Sequence, residues 1–426
     1  MKKIVWLLLL LCITGASTGA AQVVDLQSQI DAAEEGSVIQ LEKGVYEGNV
    51  IITKSIFLEG ENGTVMKAHA DTPAILIENA SDVAVRGIDI ETLGTGVTVR
   101  RSNEVKLSNI NMRGVDTGVQ VYNSQQLLIS SLAIEGNAKH YAKKGNGIGI
   151  YNSASIELFE NTINSVQDGF YIEGVQGITI HDNTVTNSRY GTHFMYSENG
   201  DIRHNMYTQN VTGLMVMMTE DIQVKQNDVS YQDGFNGTGI TLYDTKNTLL
   251  QSNHIEGNRI GVSVQKTVDV ELLENTFHMN QTALESVRSE ESNTAMQNQF
   301  VGNLVNVRSD QQGLHLVNNY YDDYNGIDLD DNGTGDEAYV ALQSFGQWMV
   351  RKPVYQYFIE SPSVVLLNTI DKQTNTTSKV LLVDESPATM KNQGPTTSFQ
   401  LQLPQLVIGL VLLIGCVVVY RRSVRI

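Results

Sequence analysis

The chain has 426 residues, 41% of them hydrophobic, so it is long enough to bury a large core and to form more than one structural unit. Its formal net charge of −18 argues against nucleic acid as a partner, because a phosphate backbone binds basic surfaces. The two cysteines, Cys12 and Cys416, both fall in apolar terminal segments. The region between them therefore has no disulfide, and a soft-metal site there must use His and Met.

Residues 1–21 are predicted to be a secretory signal peptide. Two lysines are followed by an apolar run and then by small residues that end near Ala20 and Ala21. This order of segments is typical of such peptides. The remainder of the chain is therefore expected to be exported.

A repeat of about 22 residues dominates residues 22–344. One marker is a glycine followed by three strand-forming residues, and successive glycines are 22, 29, 22, 22, 22, 26 and 22 residues apart. These glycines are Gly96, Gly118, Gly147, Gly169, Gly191, Gly213, Gly239 and Gly261. A second marker, an asparagine, keeps nearly the same spacing and is expected to stack as a ladder at a turn. These asparagines are Asn161, Asn183, Asn205, Asn227, Asn253, Asn275, Asn298 and Asn319.

A period near 22 with several short β-runs is typical of one coil of a parallel β-helix, whose coils stack about 4.8 Å apart. The sequence therefore predicts an all-β fold, a right-handed parallel β-helix of roughly ten or eleven coils between about residues 45 and 320. The 29-residue interval predicts an extra loop around GNAKHYAKKGN (136–146).

Side-chain direction along the repeated strand decides which residues reach the solvent. The first and third residues after each marker glycine are apolar except Thr192, so they are expected to point into the core. Because side chains on a strand alternate faces, the second and fourth residues should point outward. In most coils these outward residues are polar or aromatic.

Two neighbouring coils carry soft metal ligands at the outward positions. Their sequences are RYGTHFMYS (189–197) and TGLMVMMT (212–219). In register, His193 would stand beside Met215, and Met195 beside Met217, on the solvent side of the rod. One imidazole and three thioethers form a donor set suited to Cu(I). These four residues are therefore predicted to bind copper.

Two other interpretations of the methionines remain open. Methionine often fills irregular gaps in a core, and an exposed apolar patch can also dock a partner protein. Tyr196 and Met218 border the four residues and should begin the next turn. His204 and Met206 follow on another segment of the coil and are further candidate ligands.

A second candidate metal site follows the repeats, in YYDDYNGIDLDDNGTGDEAY (320–339). Oxygen-bearing side chains alternate there around a glycine turn and resemble a calcium loop. The candidate calcium ligands are Asp328, Asp330, Asn332 and Asp336. An EF-hand loop requires Glu at its twelfth position, where this chain has Tyr339. A solvated acidic turn that caps the rod is the alternative.

The last three segments are predicted to lie outside the repeat. Residues 345–371, broken by Pro353 and Pro362, are expected to cap the rod or to dock on a partner, and the polar residues 372–403 to form a linker or stalk. Residues 404–426 contain an apolar run followed by three arginines. This pattern predicts a single transmembrane helix with a short cytoplasmic tail, which would anchor the rod on the extracytoplasmic face of the membrane. A buried core helix is the alternative.

The segments HFMYS, TGLMVMM and DLDDNGTGD together resemble the NosD family of β-helical accessory proteins for nitrous oxide reductase maturation. The resemblance covers about residues 25–360. It implies a copper carrier without enzymatic activity that works with the ABC transporter NosF/NosY, takes copper from the lipoprotein NosL and passes it to the reductase NosZ. The membrane anchor is a departure, because many relatives are expected to be soluble periplasmic proteins.

Two other function classes share a β-helical rod. A polysaccharide lyase, hydrolase or epimerase needs clustered acids, or a carboxylate beside Arg or Lys. The two outward rows hold one acid, Glu173, and one arginine, Arg100, several coils apart, while Asp168 and Asp182 look isolated. A passive adhesin or surface rod would give no reason for the group of Met and His side chains.

Overall fold

The computed structural model describes residues 25–137, 144–232, 237–341, 353–358, 361–364, 366–367, 370 and 382–389. The predicted signal peptide (1–21) and the predicted transmembrane anchor (404–426) lie outside these residues. Among the residues described, no helix is long and apolar enough to cross a membrane.

The chain forms a parallel β-solenoid in which a typical coil contributes three strands, numbered here in chain order. One side of the rod is a twelve-stranded parallel sheet, which we call the front sheet. Its strands are β3 (Val50–Ile52), β6 (Ile75–Glu78), β8 (Thr95–Arg100), β10 (Thr117–Tyr122), β13 (Ile148–Tyr151), β16 (Asp168–Glu173), β19 (Tyr190–Met195), β22 (Thr212–Met217), β25 (Thr238–Tyr243), β28 (Ile260–Gln265), β31 (Thr282–Val287) and β34 (Val305–Ser309).

The other two sides form one 26-stranded sheet, because two long strands continue around the corner between them. The long strands are β7 (Ser81–Glu91) and β9 (Asn103–Val115). On one side the remaining strands are β1 (Ser37–Leu41), β4 (Ile56–Gly60), β11 (Gln125–Ser130), β14 (Ala154–Phe159), β17 (Gln176–His181), β20 (Glu198–Arg203), β23 (Glu220–Lys225), β26 (Lys246–Gln251), β29 (Val268–Leu273), β32 (Thr294–Met296), β35 (His315–Val317) and β38 (Val383–Asp384). On the other they are β2 (Gly44–Glu47), β5 (Thr64–Lys67), β12 (Ala133–Gly136), β15 (Thr162–Asn164), β18 (Thr184–Thr186), β21 (Met206–Thr208), β24 (Asp228–Ser230), β27 (His254–Glu256), β30 (Thr276–His278), β33 (Gln299–Val301) and β36 (Tyr320–Tyr321), while β37 (Tyr339–Val340) pairs antiparallel with β38.

The core follows the alternation predicted from the sequence. The first and third residues after each marker glycine are all fully buried. Thr192, the one polar member, is explained by the buried Tyr207 of the same coil, because the two hydroxyl oxygens lie 2.8 Å apart. An inward tyrosine needs a hydrogen-bond partner, and Thr192 provides it.

The marker glycine is required by the close approach of successive coils. A Cβ atom added to Gly191 would lie 2.5 Å from the carbonyl oxygen of Gly213 and 2.3 Å from Cδ1 of Tyr207. The front sheet has twelve strands, which is more than the ten or eleven coils expected. Two coils near the ends lack the marker glycine, because Ala74 and Ala283 stand at that position.

The asparagine ladder is confirmed. In Asn205, the side-chain amide donates to Oδ1 of Asn227 at 3.0 Å and to the backbone carbonyl oxygens of Ile180 and Arg203 at 2.9 and 3.0 Å. Its backbone N–H also donates to Oδ1 of Asn227, at 2.9 Å. Each ladder residue thereby satisfies buried polar groups of its own coil and of both neighbouring coils.

A second amide ladder, which the sequence analysis missed, runs along the corner before the front sheet. It connects Asn210, Gln232, Asn258, Asn280 and Asn303 through the same kind of hydrogen bonds. The glutamine interrupts the series of asparagines, and the insertion before β25 changes the spacing. Both irregularities hide the ladder from a search for one residue type at one period.

The ends of the rod are covered by segments outside the regular coils. At the N-terminal end, helix α1 (Leu26–Ala32) buries Leu26 and Ile30. The side chain of Gln27 accepts a hydrogen bond from the backbone N–H of Ile51 at 2.7 Å and donates one to its carbonyl oxygen at 3.1 Å. The open edge of β3 is therefore partly satisfied, which opposes pairing with another chain.

At the C-terminal end, part of the predicted linker (372–403) lies against the rod. Strand β38 pairs with β35, and the buried carboxylate of Asp384 accepts hydrogen bonds from the backbone N–H and the side-chain amide of Asn319, both at 2.9 Å. Asp384 therefore terminates the asparagine ladder. In residues 345–371 the structure describes a 3₁₀ helix (Pro353–Phe358), and a capping or docking role for that segment stays a prediction.

Replacing Asn205 with alanine should destabilise the rod. The change leaves the backbone N–H and side-chain amide of Asn183, as well as the carbonyl oxygen of Ile180, without these partners. A buried group that loses its partner, such as the backbone N–H of Asn183, costs about 1–3 kcal/mol. The free energy of unfolding, measured by urea titration, should fall accordingly. The exposed Gln223→Ala serves as the control and should change it by less than about 0.5 kcal/mol. Equal losses in both variants would contradict the structural role of the ladder.

Candidate functional site

The front sheet brings the four predicted copper ligands onto two adjacent strands. Strands β19 and β22 pair in parallel, with His193 opposite Met215 and Met195 opposite Met217. This is the register expected from the sequence. The alternating residues Phe194 and Val216 are fully buried, so the four candidate ligands lie on the outer face of the sheet. Copper binding itself stays a prediction.

The four side chains differ in their access to solvent. Met195, Met215 and Met217 are half-buried, whereas His193 is only 7% exposed. Two tyrosine rings pack edge-on against the imidazole of His193: those of Tyr171 and Tyr190, with centroids at 5.1 and 4.9 Å. The site therefore has a covered imidazole and more accessible thioethers.

A buried carboxylate lies beside His193. Oδ2 of Asp168 is 3.1 Å from Nδ1 of His193, and Asp168 has no exposed surface. Arg189 binds the same carboxylate with two hydrogen bonds, from Nε to Oδ1 at 2.8 Å and from a terminal nitrogen to Oδ2 at 2.6 Å. The hydrogen bond to Asp168 raises the pKa of the Arg189 guanidinium, so the guanidinium remains protonated.

The expectation that Asp168 is isolated is therefore wrong. Simple alternation places the residue before the marker glycine inside the rod. In the structure, however, a Cβ atom at Gly169 would meet the core residue Val185, and the register passes from the Asp168–Tyr190 pair to the Phe170–Thr192 pair. The glycine interrupts the alternation, so the carboxylate of Asp168 reaches His193 on the outer face. A polar residue before a marker glycine was the available signal.

Tyr171 and Glu173 border the thioether of Met195. The hydroxyl group of Tyr171 donates to Oε2 of Glu173 at 2.9 Å and lies 3.6 Å from the sulfur of Met195. Burial, followed by the hydrogen bond to Glu173, raises the pKa of Tyr171 above its usual value. The phenol therefore stays protonated, and the carboxylate is the stronger acceptor of its single proton.

The residues present fit a soft metal ion. Nε2 of His193 is buried and has no hydrogen-bond partner among the residues that the structure describes. A buried nitrogen in this state costs about 1–3 kcal/mol, which binding of a ligand would recover. Uncharged imidazole and thioether donors suit Cu(I) better than they suit hard cations.

The other candidate ligands lie apart from this group. His204 lies in the turn before β21 and Met206 begins that strand; both are exposed, on a different side of the rod. Tyr196 and Met218 both have φ angles of 51° and begin the turns after β19 and β22, as expected. In the described part of the chain, no group of three or more His, Cys, Asp or Glu side chains is placed to hold a metal ion.

The predicted calcium loop uses its carboxylates to bind its own backbone. Asp328 accepts hydrogen bonds from the backbone N–H groups of Asn332 and Gly333 at 3.1 and 2.9 Å, and Asp336 accepts one from Leu329 at 2.6 Å. Asp330 accepts one from the side-chain amide of Asn332 at 2.9 Å. These contacts are those of a self-supported acidic turn. Calcium binding by Asp328, Asp330, Asn332 and Asp336 stays a prediction.

Several solved structures with a similar fold are enzymes by name. Alginate lyase AlyF-OU02 in complex with G6 is 12% identical, with a TM-score of 0.52 over 70% of this chain and 81% of that chain. The mannuronan C-5 epimerase AlgE4 A-module of Azotobacter vinelandii is 15% identical, with a TM-score of 0.48 over 68% and 94%. The family 28 exopolygalacturonase of Yersinia enterocolitica is 10% identical, with a TM-score of 0.48 over 68% and 73%. At such identities the likeness shows the fold alone.

Two family models match the sequence. Residues 130–332 match the family described as "Periplasmic copper-binding protein (NosD)", and residues 45–198 match "Right handed beta helix region". No curated protein matches the chain. The first match contains both strands with the candidate copper ligands, and the second gives the hand of the solenoid. The chain is a NosD-like right-handed β-helix protein.

Proposed function

We propose that this protein is an extracytoplasmic accessory protein that binds Cu(I) and delivers it for the maturation of nitrous oxide reductase. The observation that supports this most directly is the arrangement of His193, Met195, Met215 and Met217 on two adjacent strands in register. The family description as periplasmic and copper-binding supports both the metal and the location. The protein then acts as a carrier and has no enzymatic activity.

The geometry of the front sheet suits a site that receives and releases an ion. Neighbouring strands are about 4.8 Å apart and alternate residues of one strand about 6.6 Å, so four flexible side chains can converge on one ion. Thioethers and a neutral imidazole add no negative charge, which favours exchange with another soft-ligand protein. The half-buried methionines are the residues that an incoming ion would meet first.

The two insertions in the repeat also support a binding function on this face. One lies between β12 and β13, where the predicted loop (136–146) falls, and the other between β24 and β25. Both connect a short strand to a strand of the front sheet, so the described residues that flank them lie at the same corner of the rod. Strands β16, β19 and β22 lie between them. In solenoid proteins, insertions often mark the binding face.

The partners and the anchor belong to the same proposal. Copper would come from the lipoprotein NosL and pass to the reductase NosZ, and the ABC transporter NosF/NosY would work with the rod. Residues 1–21 would direct export. Residues 404–426 would hold the protein at the extracytoplasmic face of the membrane by a single span.

A polysaccharide enzyme is a second candidate, because Asp168, Arg189, His193 and Tyr171 form the kind of constellation that such an enzyme needs. Three observations argue against it. Asp168 is fully buried and bound by Arg189, His193 is almost fully buried, and the raised pKa of Tyr171 keeps its hydroxyl protonated. None of these groups presents a free acid and base to a polymer.

The full chain should bind about one Cu(I) ion under reducing, anaerobic conditions, in competition with a chromophoric chelator. The variant Met195→Leu/Met215→Leu/Met217→Leu should lose this binding, because it removes three of the four donors. Methionine-to-leucine changes conserve volume and each costs less than about 1.5 kcal/mol, so the rod should stay folded. Adding His193→Gln should remove the remaining donor.

A matched control replaces three methionines elsewhere on the rod. Met66, Met279 and Met296 lie outside the front sheet, and the variant with all three as leucine should bind Cu(I) like the wild type. Copper binding that persists in the front-sheet variant, or that disappears in both, would show that the ligands are assigned incorrectly.

The full chain should also show no activity on alginate or pectin, because Asp168 and His193 are buried and the hydroxyl of Tyr171 stays protonated. Release of unsaturated or reducing ends would be measured for the wild type and for Asp168→Asn. Activity that is present in the wild type and lost in the variant would favour the polysaccharide enzyme over the copper carrier.

A further inference from the structure

We propose that Asp168, held by Arg189, is a positioning residue that fixes His193 with Nε2 as the nitrogen available to Cu(I). This inference rests on the proposed copper site. It adds that Asp168 and Arg189 determine which nitrogen of His193 would bind the ion. Neither Asp168 nor Arg189 is itself a copper ligand.

The first step is the fixed orientation of the carboxylate. The planar guanidinium of Arg189 contacts both oxygens of Asp168, at 2.8 and 2.6 Å. Such a two-point contact fixes direction as well as charge. Arg189 is itself held over the ring of Tyr190, with its central carbon 4.5 Å from the ring centroid. The carboxylate of Asp168 therefore has little freedom to turn away from His193.

The second step is the position of the imidazole proton. Nδ1 of His193 lies 3.1 Å from Oδ2 of Asp168. A carboxylate accepts hydrogen bonds and cannot donate them, so Nδ1 must carry the hydrogen in this contact. In the neutral imidazole, Nε2 then has a lone pair and no hydrogen. This is the form in which a histidine nitrogen binds a metal ion.

The third step is the orientation of the ring. Tyr171 and Tyr190 pack against His193 with interplanar angles of 89° and 78°. A rotated ring would have to break the contact with Asp168 and disturb both aromatic contacts. The imidazole is therefore held in one orientation before any ion arrives, which lowers the ordering cost of binding.

The fourth step is the absence of a purely structural use for Nε2. Buried polar atoms in native proteins are nearly always hydrogen-bonded. Within the described residues, Nε2 of His193 has no such partner, although Nδ1 has a charged one. If His193 served only as a hydrogen-bond partner of Asp168, its Nε2 would not need to be buried without a partner of its own. Ligating histidines characteristically donate their other N–H to a carboxylate.

The experiment measures the tautomer and the copper affinity separately, on the full chain. Nitrogen NMR of histidine-labelled apoprotein, with the His193 signal assigned by its loss in His193→Gln, should show hydrogen on Nδ1 and none on Nε2. Asp168→Asn should disturb this signature and lower Cu(I) affinity roughly 10–100-fold, the usual effect of losing an outer partner. The leucine variant of the three front-sheet methionines should lose copper but keep the tautomer.

The control is Asp201→Asn, which breaks a more exposed carboxylate–arginine pair on β20, where Asp201 lies 2.5 Å from Arg203. It should change neither the His193 signal nor the affinity. Hydrogen on Nε2 in the wild type overturns the inference even if Asp168→Asn does not fold. Copper affinity that is indifferent to Asp168→Asn overturns the positioning role alone, whereas a wild type that binds no Cu(I) overturns the proposed function with it.

Discussion

Parallel stacking of coils in register is the constraint on which the rest of this structure depends. Each coil can bury its apolar side chains only against the coils above and below it. A slip of one residue would exchange the inner and outer faces of a strand. The two amide ladders and the marker glycines all act against such a slip, because each requires the same position in successive coils. The register then determines which side chains become neighbours on the outside of the rod.

On the front sheet, the fixed register brings polar side chains together in two groups that differ in their hydrogen bonding. Near its C-terminal end, the buried Arg308 donates from Nε to Glu285 at 2.6 Å, and Glu285 also accepts a hydrogen bond from Ser263 at 3.0 Å. These partners satisfy one another, so the group is structural. Around His193, by contrast, the polar network ends at a buried nitrogen without a partner among the described residues. The front sheet therefore carries one polar group whose members hydrogen-bond to one another and one that leaves a buried nitrogen available to a ligand.

The period, the inward residues and the pairing of the four candidate ligands could all be predicted from the sequence. They depend on strand alternation and a constant coil length, which are local properties. The network around His193 could not be predicted in the same way, because Gly169 interrupts the alternation and brings Asp168 to the outer face. The attachment of Asp384 to the ladder also escaped prediction, because 65 residues separate it from Asn319. Tertiary contacts of this kind leave no period to detect.

The difference in exposure within the candidate site follows from the two tyrosine rings that cover His193. Met215 occupies the same position on the next strand but is half-buried, as are Met195 and Met217 beside the turns. A carrier must hold an ion against loss to water and still let a partner displace its ligands. Different residues would satisfy these two requirements. The preorganised imidazole would hold the ion, because a rigid donor limits the ordering cost of binding. The methionines would allow exchange, because their flexible side chains can change rotamer. Transfer would then begin at the turns after β19 and β22, where Tyr196 is exposed and a docking protein could approach.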